Sequence, residues 1–152
     1  MLAPYEKRQD RNVIVRASKF YLFDVGVAGA ITHRHIPQAK GEQFGRALEH
    51  FILMELLAHR AYRDLDYEVS FWRTKSGLEV DPILGQGAVA IEVKGRAAST
   101  ARTCVRSRRS SKATVPHARS SSATSAPRVH EGIRILPWRD FLEMLWSGAV
   151  IS

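Results

Sequence analysis

Residues 78–95 read LEVDPILGQGAVAIEVKG. Two short apolar runs flank a Gly-Gln-Gly turn, the pattern of a hairpin. The first run carries Asp81 and the second carries Glu92 and Lys94. Side chains two apart on a strand point to the same face, so Glu92 and Lys94 share one face and Val93 takes the other. Pairing of the two runs brings Asp81 alongside Glu92. Two carboxylates and a lysine on one sheet face are a prospective divalent-cation site, because hard oxygen ligands suit Mg²⁺.

The elements around this hairpin set the fold class. Upstream, Tyr67 to Arg73 alternates as a strand does, and Thr74 to Gly77 supplies turn residues. Pro82 within the Leu78–Leu84 run has no N–H to donate to a ladder. Gly41 to about Tyr62 carries the strongest helical pattern, with Phe44, Leu48, Phe51, Ile52 and Leu56 at three- and four-residue steps. The two glutamates within that stretch, Glu49 and Glu55, either sit at solvated edge positions or, equally, one of them turns toward a polar site. Phe20 to Phe23 reads as a buried strand or strand edge, Asp24 as the cap of a following segment, and residues 32–40 as a loop. Downstream, IRIL at 133–136 is a strand. Pro137 then opens a helix, WRDFLEMLW, with Trp138, Phe141, Leu142 and Leu145 along one face. A helix followed by three antiparallel strands predicts an α+β domain built on a β-meander.

At 152 residues the length fits one domain. One cysteine excludes a disulfide framework and a cysteine-based zinc site. No apolar run is long enough to span a bilayer, so no membrane association is expected. The N-terminus does not have the pattern of a signal peptide, and a cytoplasmic setting is the expectation. The formal charge is +8, which points toward nucleic acid. Eight of the Lys and Arg residues lie in residues 96–129, a stretch with no Asp or Glu, and the rest of the chain balances at 15 basic and 15 acidic. The whole excess sits in one segment. Residues 99–126 are rich in Arg, Ser, Ala and Thr and have no apolar periodicity. This is the composition of a disordered basic tract, and equally of GC-rich coding sequence translated out of frame. The expectation for 99–126 is disorder or a pair of compensating frame slips.

The combination of helical Glu49, Asp81 and Glu92-Val93-Lys94 resembles the PD-(D/E)xK nuclease superfamily. KFYLFDVGVAGAI, GRALEHFILMELL, FWRTKSGLEVDPIL and AIEVKG, in that order, resemble the C-terminal domain of unknown function 4143 of archaeal-type AAA ATP-binding proteins. That resemblance implies a restriction-endonuclease-like core, a mixed sheet with an antiparallel meander flanked by helices. It places the family motif on Asp24, Glu49, Glu55, Trp72, Arg73, Glu79, Asp81, Glu92 and Lys94. It implies a linker remnant at 1–18 and a nuclease-like domain at 19–152. It further implies metal ligation by Asp81, Glu92 and Glu49, with Lys94 at the attacking water, Mg²⁺ as cofactor and DNA as partner. The ATPase and winged-helix regions normally share the chain. The sequence departs from the family at His50, where asparagine is usual, and at Pro82, where an aromatic or aliphatic residue is usual. It carries no phosphate-binding G-x-x-x-x-G-K-[ST] loop.

Overall fold

The computed structural model describes residues 3–4, 19–34, 38–73, 79–95, 102–107, 127–130 and 133–151. At positions 3, 4, 72, 73, 79–81, 102, 106, 107 and 128 it describes the backbone alone. The elements are β1 (Ala3–Pro4), α1 (Val25–Ile31), α2 (Gly41–Tyr62), β2 (Val69–Arg73), β3 (Glu79–Leu84), β4 (Val89–Lys94), β5 (Arg102–Ser107), β6 (Arg128–His130), β7 (Ile133–Pro137) and α3 (Trp138–Trp146). The fold is α+β. One sheet runs in the order β1-β2-β3-β4-β5-β7-β6. All neighbours pair antiparallel except the two-residue β1, which lies parallel to β2.

The meander β2-β3-β4 follows the alternation read from the sequence. Its second turn is tight. Gln86 and Gly87 have φ of 54° and 85°, and the Ala88 N–H donates to the Gly85 carbonyl at 3.1 Å. Two positive φ values at the central positions match the right-handed twist of a hairpin. Strand β4 alternates cleanly. Val89, Ile91 and Val93 are buried, while Glu92 is half-buried and Lys94 exposed.

The buried side of β4 faces the helices. Leu48, Ile52, Leu53 and Leu56 of α2 and Phe141 and Leu145 of α3 join Val69, Phe71, Leu84, Val89, Ile91, Val93, Val105 and Leu136 in one cluster. Ile52, Leu56, Ile91, Phe141 and Leu145 are wholly buried, and each such side chain contributes about 1.5–3 kcal/mol of transfer free energy. Both long helices therefore pack one face of the sheet. The register puts Glu92 beside Cys104 and Cys104 beside Ile135, so these three occupy the opposite face.

Two expectations are corrected. Of the two expectations for 99–126, disorder does not hold for residues 102–107, which form β5, the strand that joins β4 to β7, while the frame-slip expectation stands as it was. Thr103 and Val105 are buried on the core side. Backbone pairing on both flanks outweighs weak local propensity here. Residues 99–101 and 108–126 lie outside the described residues. The second correction concerns Phe20 to Phe23. Phe20 is 75% and Phe23 79% exposed, so this stretch is a surface segment leading into α1 and not a buried strand.

Candidate functional site

Glu92 and Lys94 meet as the two-residue spacing predicts. Lys94 Nζ lies 2.9 Å from Glu92 Oε1, with side-chain exposures of 45% and 28%. The pair is open to solvent, so it contributes little to stability, about 0–1 kcal/mol. Its chemical content is a carboxylate and an ammonium fixed side by side on the face turned away from the core.

The placement of Asp81 depends on a local irregularity. Val69 and Ser70 pair with Leu84 and Ile83, whereas Trp72 and Arg73 pair with Val80 and Glu79. Asp81 and Pro82 together therefore oppose Phe71, which makes a β-bulge. Pro82, buried and without an N–H, occupies a position where no ladder donor is required. Toward β4 the register is Ile83 to Ala90 and Leu84 to Val89. Continued by two residues, that register would set Asp81 opposite Glu92. The side chains of Asp81, Glu79, Trp72 and Arg73 lie outside the described residues.

Helix α2 reaches the same end of β4. A Cβ built on Gly45 would stand 2.8 Å from the Gly95 carbonyl oxygen, so the helix backbone nearly touches the chain as it leaves Lys94. Glu49 lies one helical turn after Gly45, on the same side of α2. It is exposed. Glu49 thus approaches the end of β4 from the helix side, and Glu92 and Lys94 stand on the other face.

The remaining motif residues have structural duties. Glu55 accepts a hydrogen bond at 2.9 Å from Trp146 Nε1, which ties α2 to α3. Asp24 caps α1, with Oδ1 accepting from the Val27 N–H at 2.8 Å. His50, the departure from the family pattern, donates through Nε2 to the Leu22 carbonyl at 2.7 Å and packs against Tyr21. It fastens the segment before α1 onto α2. Sequence reading missed this link because an i to i−28 contact leaves no local periodicity. The Gly45–Gly95 approach was missed for the same reason, although a glycine inside a strong helix was its one available signal.

Among the described residues no three His, Cys, Asp or Glu side chains group as a metal site, and Asp81 is outside that search. No described helix is long and apolar enough to cross a membrane.

A comparison with protein families finds a match. The model for the domain of unknown function DUF4143 covers residues 44–141, from the first core residue of α2 to the middle of α3. The chain belongs to the DUF4143 family. The matched stretch holds Gly45, Glu49, the bulged β3, the Glu92–Lys94 pair and the β5 strand, so the candidate site lies wholly within the DUF4143 domain. No curated protein and no solved structure matches the chain.

Proposed function

We propose that this DUF4143 domain is nuclease-like and hydrolyses DNA phosphodiesters with Mg²⁺, in the manner of a restriction-endonuclease-like core attached to an AAA ATP-binding protein. The observation that carries the reading is the Glu92–Lys94 pair. It is held at 2.9 Å on the face of β4 turned away from the helices, at the strand end that α2 approaches. Asp81 and Glu92 supply hard carboxylate oxygens for Mg²⁺, while Glu49, on the helix side of β4, stays outside that pair. A bound Mg²⁺ lowers the pKa of its water and offsets charge on the reacting phosphate. Lys94 orients the water and stabilises the developing charge. Glu92 keeps that ammonium at the site when substrate is absent. Burial of Val93 and Ile91 on the other side of β4 locks the strand face, which fixes both side chains relative to each other.

The test is cleavage of linear and nicked DNA in Mg²⁺ and in EDTA. Metal-dependent cleavage is expected, reduced at least 100-fold by Asp81→Ala and by Lys94→Ala, a loss comparable to removing one electrostatic group from an active site. Cleavage that persists in both variants rules out this site.

A second reading rests on the bulge. Asp81 sits within an irregularity created next to Pro82, and a displaced carboxylate leaves a binding module without catalysis. On that reading the domain binds nucleic acid or docks on an ATPase. It predicts DNA binding or co-purification of an ATP-binding protein with no cleavage, and Pro82→Val then leaves cleavage absent.

A further inference from the structure

Outside the sheet site, a cleft of about 420 Å³ lies between α1 and the first half of α2. We infer that this cleft binds the phosphomonoester of a nucleotide, held between Arg34 and Arg46.

Three observations support it. First, two arginines line the cleft, one from each of the elements that form it. Arg34 follows α1, and Arg46 stands on α2. Among the described residues the Arg34 side chain has no hydrogen-bond or ion-pair partner. Among the described residues Arg46 is held only by Glu42, at 2.6 Å, in an exposed i,i+4 pair. Such a pair is worth a few tenths of a kcal/mol, so an incoming phosphate competes with it easily. Guanidinium forks match phosphate oxygens in geometry and charge, and a phosphate dianion can accept from both at once.

Second, the floor is made of small residues. Ala28 and Gly29 of α1 face Ala47 of α2, and these small side chains leave the space open. The volume is in the range of small-ligand sites, and an apolar wall beside two cations suits a base next to its phosphate.

Third, His50 offers a complementary acceptor. Its Nε2 is committed to the Leu22 carbonyl, which leaves Nδ1 of the neutral ring as an acceptor. Gln43 adds an amide. Together these groups can bond a ribose hydroxyl or a base edge.

The phosphomonoester has two sources, a free mononucleotide or the 5′ end of a DNA strand. Arg46 follows Gly45, which abuts Gly95, so a strand end in the cleft lies at the same end of the molecule as Lys94. The inference is independent of catalysis by the sheet site.

The experiment is equilibrium binding by the full chain in EDTA. The probes are AMP, adenosine, and one short oligodeoxynucleotide with and without a 5′-phosphate. AMP is expected to bind at least tenfold more tightly than adenosine, or the phosphorylated oligonucleotide tenfold more tightly than its 5′-hydroxyl form. The first outcome assigns a free nucleotide and the second a strand end. Arg34→Gln and Arg46→Gln are each expected to weaken binding by about tenfold, the loss of one charge-assisted contact. Ala47→Leu, which fills the floor, is expected to abolish it. Glu42→Gln, which releases Arg46, is expected to tighten it. Thermal melts of each variant verify folding. Absence of phosphate-dependent binding at millimolar probe overturns the inference, as does binding that the two Arg→Gln variants leave unchanged. Because EDTA removes divalent cations and Asp81→Ala leaves the cleft intact, failure here is distinguishable from failure of the nuclease reading.

Discussion

His59 shows how one side chain can set the pH response. It is buried on α2 at 1% exposure, beside Tyr67 and edge-on to Trp146. The Tyr67 hydroxyl donates to the Leu56 carbonyl at 2.8 Å. Its oxygen is then the acceptor toward His59 Nδ1, 3.3 Å away, which assigns the neutral ring with the proton on Nδ1. Burial lowers the His59 pKa below 6.5, and the charge of Arg63 lowers it further. The unfolded chain therefore takes up a proton below about pH 6.5 that the folded chain refuses. Stability is held above that pH and falls as the pH drops through it. Urea midpoints at pH 7.5, 6.5 and 5.5 are expected to decline, with a shallower decline in His59→Phe. Thr103 is a second polar group inside the core. Among the described residues its Oγ1 is buried with no hydrogen-bond partner, between Val93 and Leu136 in the register. It costs the desolvation of one hydroxyl, of order 1–3 kcal/mol.

At the scale of elements, the three helices end in the same way. After α2 the Leu65 N–H reaches back to the Arg60 carbonyl at 2.9 Å, and Asp64 adopts φ of 52°. After α1 the Arg34 N–H reaches Gly29 and His33 takes φ of 52°. After α3 the Ala149 N–H reaches Met144, and Gly148 takes φ of 79°. Each is a Schellman closure, whose left-handed residue is usually glycine. Only α3 has one there. Asp64→Gly is expected to stabilise the protein by about 0.5–1 kcal/mol, read as a higher urea midpoint at unchanged m-value. An unchanged or lower midpoint contradicts the cap assignment. The joint between α2 and α3 is built around Trp146. Its indole N–H meets Glu55, its carbonyl accepts from Arg63 at 2.6 Å, and its ring packs on His59 and Tyr62. The glutamate within the apolar face of α2 has a partner there, and its burial is explained without a catalytic role.

Across the whole molecule, the site depends on how closely α2 seats against β4. Gly45 is the residue that permits it. In an isolated helix Gly→Ala gains about 1 kcal/mol. Here the added methyl would stand 2.8 Å from a backbone oxygen, which can retreat only if helix or strand moves. Such overpacking typically costs 1–3 kcal/mol. Gly45→Ala is therefore expected to lower the thermal midpoint, against its helix propensity. A raised midpoint would show that α2 and β4 have slack. The same variant is expected to weaken whatever the Glu92–Lys94 face does, because displacing Gly95 shifts the strand end that carries Lys94.

Local patterning was enough to specify α2, the meander, the Gly-Gln-Gly turn, the last strand and helix, and the sharing of one face by Glu92 and Lys94. These are set by repeats of 2 and 3.6 residues and by turn chemistry, all local. The sequence also carried the four blocks that resemble the family to which the chain belongs. Tertiary structure alone decided the rest. It made 102–107 a strand by pairing both of its edges, against a composition that argues for none. It put a bulge at Asp81–Pro82, because a two-against-one count exists only between two strands. It turned Glu55 toward Trp146 and His50 toward Leu22, and it brought Gly45 against Gly95. Each of these joins residues far apart in the chain, and local periodicity holds no record of what such residues will meet.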